Sequence, residues 1–150
     1  TEEQKAEAAR ARELKALNPP VKSDPILAQC VNLLMKDGKK AQAERILART
    51  LYLLHLKSRK DPVHVLKEAL DLLAPLTKVR KKRVTGAKSV DMPVPLNERQ
   101  RIRQAFVWMR DASAGFASRD IAVRLSEEIW NTYNGTSSSF ARREAIYKSA

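Results

Sequence analysis

The chain has 150 residues, a formal net charge of +12 and one cysteine, with an isoelectric point near 10.1. That length makes one ordinary domain, able to bury roughly two-thirds of its unfolded surface without staples, and 43% hydrophobic with 31% charged residues excludes a disordered chain. No apolar run approaches the roughly 20 residues of a bilayer span, and the cation excess leaves nucleic acid or an anionic membrane surface as natural partners.

Residues 1–17 are rich in Ala, Glu, Lys and Arg, with Glu2, Glu3, Glu7 and Glu13 set against Lys5, Arg10, Arg12 and Lys15. This predicts an isolated helix with little apolar face. Asn18-Pro19-Pro20 stops it, so residues 1–22 are read as a helical extension and linker outside the core, and 23–150 as the domain. The chain opens on Thr1 without an initiator Met, read as removal of an upstream segment.

The first core helix is expected to take Ser23 or Asp24 as its cap, with Pro25 in its first turn. It carries Ile26, Leu27, Cys30, Val31 and Leu34 inward and stops near Gly38. Cys30 falls in the apolar phase, which makes it a buried, reduced thiol. A second helix follows Lys39-Lys40, with Ala43, Ile46, Leu47, Thr50 and Leu54 at helical spacing. Asp61-Pro62 repeats the cap-and-proline start for a third, whose stripe of Val63, Leu66, Ala69, Leu70 and Leu73 ends at Pro75.

A two-stranded β-ribbon is predicted at about 77–96, with Thr85-Gly86 at its tip. Val79, Lys81 and Arg83 point one way along its first strand and Arg80, Lys82 and Val84 the other. Cations on both faces cannot lie on an apolar core without burying charge, so the ribbon should project. In the second strand Val90, Met92, Val94 and Leu96 share one face, expected to root the ribbon. Pro93 and Pro95 share the other parity, and their missing donors face an unpaired edge. Between Lys78 and Arg103 nine Lys or Arg stand against two acids, so this stretch holds +7 of the total charge. A projecting basic arm of this kind suits a phosphate backbone.

Asn97 caps the next helix, with Glu98 in its first turn. Ile102, Ala105, Phe106, Met109 and Ala112 form its broad apolar face, and Arg99, Arg103 and Arg110 line a neighbouring stripe. Phe106 and Trp108 could stack on bases, but their helical spacing favours the core. Ser118 is expected to begin a further helix with Ile121, Ala122, Leu125 and Ile129 inward, Trp130 open between the two sides, and Asn134-Gly135 as its stop. The last helix, capped from Ser137-Ser138-Ser139, carries Arg142, Arg143 and Lys148. The fold class is therefore mainly α: about six core helices with one protruding basic β-hairpin.

His55 and His64 have no partner at metal-ligand spacing, Asp61 is better read as a helix cap than as a base, and four glycines form no phosphate loop. No enzyme, metal or cofactor is implied. Asn134-Gly135-Thr136 fits a glycosylation pattern, but a helix stop explains it. The remaining rival to RNA binding is a winged-helix-like DNA-binding regulator, which would need a recognition helix reading base edges.

The run DPILAQCVNLLMKDGKKAQAERIL, the ribbon RVTGAKSVDMPVPL, the helix with Arg103 and Trp108, and the terminal GTSSSFARRE resemble the bacterial-type small-subunit ribosomal protein seven family over about residues 24–150. The resemblance implies a helical domain with a protruding ribbon, a structural constituent of the small subunit. It also implies binding to the 3′ major domain of small-subunit ribosomal RNA, nucleation of head assembly, neighbouring head proteins, and a ribbon near the messenger exit path and exit-site tRNA. Together with the ribbon's charge it gives as RNA-contacting positions Lys36, Lys39, Lys40, Lys78, Arg80, Lys81, Lys82, Arg83, Lys88, Arg99, Arg103, Arg142 and Arg143. The chain departs from the family pattern in having Thr85-Gly86 where two glycines are usual, an extra residue between the tip and Pro93, and two residues inserted around Ser138 to Phe140. Tyr147 replaces a common His, and no aromatic-rich tail follows Ala150. These departures and the N-terminal helix favour a mitochondrial form, with a bacterial cytoplasmic protein or that of another organelle as the alternative.

Overall fold

The computed structural model describes residues 1–17 and 24–149, with the side chains of 13–17 excepted; Ser23 and the Asn18-Pro19-Pro20 stop lie outside the described residues. Helix α1 spans Glu2–Leu17, and its side chains are exposed through Arg12. Six further helices follow, α2 (Pro25–Leu34), α3 (Lys40–Ser58), α4 (Pro62–Leu73), α5 (Glu98–Ser113), α6 (Ile121–Tyr133) and α7 (Ser139–Ser149), with strands β1 (Thr77–Thr85) and β2 (Lys88–Pro95) between α4 and α5.

The helix starts follow side-chain chemistry. Asp24 Oδ1 accepts from Ile26 N at 3.0 Å and Asp61 Oδ1 from Val63 N at 3.1 Å, each ahead of a proline. The Asp24 carboxyl is held below its ordinary value by a hydrogen bond from Lys67. Asn97 and Gln100 form a reciprocal capping box at α5. At α6 the cap is Asp120, not Ser118. Ser118 Oγ instead accepts from Asp120 N, which moves the helix start beyond the serine. Helix α2 likewise ends at Leu34, before Gly38, because Met35 is already extended and Asp37 and Gly38 both turn left-handed, at φ +55° and +72°.

The core joins Cys30 and Val31 of α2, Leu47 and Leu54 of α3, Leu66 and Leu70 of α4, Phe106 and Met109 of α5, and Leu125 and Ile129 of α6. Helix α6 packs on α3, α4 and α5 and so closes the bundle. Phe106 is wholly buried and Trp108 nearly so, which places both in the core. Burial pushes the Cys30 thiol up to about 12. Ile46 and Ala112 are half-buried at the edge of the core, and two further expected core positions are corrected. Val63 is only half-buried while Val65 is fully buried, because Pro62 and Val63 form the first turn at the rim. Ile121 is 43% exposed, since at the first position of α6 it overhangs the body that Ala122 and Leu125 enter.

Glu128 is buried and satisfied by hydroxyls: it accepts from Ser137 Oγ, and Ser139 Oγ lies 3.2 Å from the same oxygen. Ser139 Oγ also lies 3.4 Å from the Trp108 carbonyl. The Thr136–Ser139 stretch is thereby fixed between α5 and α6, and it sets the direction of α7.

Candidate nucleic-acid interface

The ribbon is a two-stranded antiparallel sheet pairing Lys78 with Val94, Arg80 with Met92 and Lys82 with Val90. Leu96 N donates to Leu76 O at 3.1 Å, which fixes the phase of the ladder. Bonded and non-bonded pairs alternate, so Pro93 and Pro95 fall at non-bonded positions and direct their missing donors outward. The tip turn is Gly86-Ala87, one residue later than the sequence suggested. Thr85 pairs with Lys88, and Gly86 alone has positive φ, +54°, at the first turn position. A bulge between Arg83 and Thr85 leaves Val84 without a partner in β2.

Every side chain from Arg80 to Pro93 is exposed. The apolar face of β2 roots the ribbon only at Val94 and Leu96, which are half-buried; Val90 and Met92 remain 50% and 42% exposed. The reason is length, since only the root reaches α7. Arg101 Nε donates to Pro75 O at 3.3 Å and Leu76 N donates to the Tyr147 hydroxyl at 3.2 Å, holding the root between α5 and α7.

Lys36, Lys39, Lys40, Lys78, Arg80, Lys81, Lys82, Arg83, Lys88, Arg99 and Arg103 are all exposed. None makes an ion pair with an acid among the described residues. Even Asp91, opposite Lys81 in the ladder, forms no ion pair with it. Cations left without internal partners keep their full charge for an external anion. Arg99 and Arg103 lie one turn apart on α5, which begins two residues beyond β2, after Leu96 and Asn97.

The α7 arginines differ. Arg143 donates to Leu72 O at the end of α4, and its guanidinium sits 5.0 Å from the Phe140 ring centroid. Arg142 is 3.5 Å from Asp111. Arg143 holds α7 against the body, and Arg142 adds an exposed ion pair to α5.

A second basic concavity lies at the opposite end of α5. Lys36 and Lys39 from the α2–α3 turn meet Arg110 and Arg124 around a cleft of about 480 Å³ with Leu34 and Ile46 in its wall. Arg110 is oriented by its bond to Leu33 O at 2.9 Å, and Arg124 Nε is buried without a hydrogen-bond partner among the described residues. Sequence reasoning placed Arg110 on a stripe but missed Arg124. Nothing local marks Arg124, because only the packing of α6 on α3 and α5 brings it to this cleft.

Among the described residues no group of three His, Cys, Asp or Glu gathers at metal-binding distance. No helix there is long and apolar enough to cross a membrane.

The sequence matches the family model described as ribosomal protein S7p/S5e over residues 4–150. It is 36% identical over 142 residues to the small ribosomal subunit protein uS7 of Pseudothermotoga lettingae, covering 94% of this chain and 91% of that one. To uS7 of Bifidobacterium longum it is 36% identical over 134 residues, covering 89% and 85%. To uS7m of Schizosaccharomyces pombe it is 35% identical over 133 residues, covering 88% of this chain but 51% of that protein. A helical bundle with one antiparallel hairpin, matched over nearly its whole length, makes this chain a member of the ribosomal protein S7p/S5e family.

Proposed function

We propose that this chain is a structural constituent of the small ribosomal subunit, not an enzyme, and that it binds the 3′ major domain of small-subunit ribosomal RNA and nucleates assembly of the head. The single observation carrying this reading is the set of eleven exposed cations without acid partners, distributed over the ribbon, the start of α5 and the α2–α3 turn. A phosphate backbone is the ligand such a set fits. The helical body supplies a rigid platform, the ribbon an arm of about 25 Å at ~3.3 Å per residue. That arm reaches toward the messenger exit path and exit-site tRNA, and the remaining body surface meets other head proteins.

The basic cleft between the α2–α3 turn, α5 and α6 belongs to the same RNA surface, with Arg124 added to Lys36 and Lys39, while Arg110, bonded to Leu33 O and paired with Asp111, shapes its wall. Arg143 acts on RNA only indirectly, by holding α7, while the exposed Arg142 stays with the RNA-contacting set. The departures from the family pattern and the match to a mitochondrial relative support a mitochondrial ribosome; the bacterial relatives support the cytoplasmic alternative. Fractionation of the cell that carries the chain separates the two.

Competition binding tests the function directly. The labelled protein, held on a transcript of the 3′ major domain, should be displaced by the same RNA unlabelled and resist an equal mass of duplex DNA. Equal displacement by both would favour the winged-helix-like DNA-binding reading.

A further inference from the structure

Helix α3 presents a face that neither the core nor the proposed RNA surface uses. Its inward side is Ala43, Leu47, Thr50 and Leu54, all buried. On the opposite side Ala41, Arg45, Ala48, Tyr52 and Leu56 recur every three or four residues, and Arg59 follows at the C-cap, where the backbone turns left-handed. Tyr52 is 63% and Leu56 54% exposed, adjacent on one face. Large apolar side chains scattered singly on a surface are ordinary, but two at helical spacing, extended by two alanines, form a continuous seam. Small residues at Ala41 and Ala48 allow close approach of another backbone, and Tyr52 and Leu56 supply the projecting groups that a helix pair interlocks.

The charges around the seam define its partner. Arg49, beside it, is already paired with Asp120. Arg45 and Arg59 make no ion pair among the described residues, and they stand 14 residues apart, about 21 Å along a helix. A segment lying on the seam would meet cations toward both ends and apolar groups between. Tyrosine with arginine, around an apolar centre, is also the composition that interfaces between proteins favour. RNA suits this face poorly, because alanine and leucine offer nothing to a phosphate and the two free cations are too far apart to track a backbone. A second copy of the chain would bring like charges together.

We infer that the outer face of α3 is a docking surface for an amphipathic helix of a neighbouring protein, apolar along its centre and acidic near its ends. The proposal rests on the chain's place in a small ribosomal subunit and goes beyond it by assigning a face and a partner chemistry.

The test uses the full chain with Tyr52→p-benzoylphenylalanine, expressed in its own cells, with small subunits isolated by gradient sedimentation and irradiated. The expected result is a covalent adduct to one protein, with the crosslinked peptide helical and acidic at its flanks. A crosslink to RNA, or none in subunits that contain the chain, would overturn the docking surface while leaving the chain's place in the subunit intact. A chain absent from small subunits would overturn both. In a second arm, Tyr52→Ser with Leu56→Ser should deplete that protein from purified subunits and change affinity for the isolated RNA less than twofold. Undiminished partner in those subunits would contradict the proposal.

Discussion

Strand β1 and helix α7 both carry adjacent basic residues, yet the fold uses them in opposite ways. In β1, Arg80 through Arg83 lie on a two-stranded ribbon with no acid in contact and no body beneath them. In α7, Arg143 reaches the last turn of α4 and stacks on Phe140, and Arg142 meets Asp111. A guanidinium that satisfies a carbonyl at a helix C-terminus stabilises the body. One left in solvent contributes almost nothing to stability and its whole charge to an external anion. Basic residues in this fold thus divide into those bonded to the bundle and those left in solvent with their charge free.

The comparison breaks first in the body. Phe106→Ala should cost about 3–5 kcal/mol, because the ring is wholly buried. Chemical denaturation measures this, and RNA affinity of the remaining folded protein should be nearly unchanged. Arg143→Ala should cost about 1–3 kcal/mol, since it removes a charged donor from the Leu72 carbonyl. A loss of RNA affinity without loss of stability in this variant would place Arg143 with the ribbon cations instead.

Replacing Lys81, Lys82 and Arg83 together by Ala should alter unfolding free energy by no more than about 0.5 kcal/mol, while RNA binding weakens clearly. Replacing residues 82–90 by an Asn-Gly turn sharpens the division further. The shortened chain should fold and enter small subunits on a sedimentation gradient, with reduced translation by those subunits. A folded chain absent from them would make the ribbon tip the primary assembly contact.

The smallest effect belongs to Asp24, whose carboxyl is held below the usual value of 3.8 by Lys67. A depressed value means that stabilisation is complete above about pH 4 and is lost as pH falls through the folded-state value. The stability difference between the native chain and Asp24→Asn should therefore be constant near neutrality and shrink below about pH 4, as read by thermal melts across pH.

The helices and the ribbon were legible because each carries its own signals. Asp24-Pro25, Asp61-Pro62 and Asn97-Glu98 announce helix starts by local chemistry, and cations on both faces announce a strand that cannot be buried. Where the reading failed, the deciding partner lay elsewhere. Ser118 competes as a cap with Asp120 two residues on, and only the backbone direction selects between them. Val90 and Met92 have the right parity for a root, but how far the body extends along the ribbon is a tertiary fact. The same holds for Arg124 in the basic cleft, and the bond of Arg143 to a carbonyl 71 residues away is likewise set by tertiary packing.

The central claim is that unpaired cations, with the ribbon prominent among them, grip RNA phosphates. It is tested most directly by the salt dependence of RNA affinity in a filter-binding titration. With about eight phosphates neutralised, the logarithm of affinity should fall against the logarithm of salt concentration with a slope of about −6 to −7. The variant lacking Lys81, Lys82 and Arg83 should have a slope shallower by about 2 to 3, and Arg143→Ala one that is unchanged. A native slope near zero, or a triple variant with the native slope, would contradict the account.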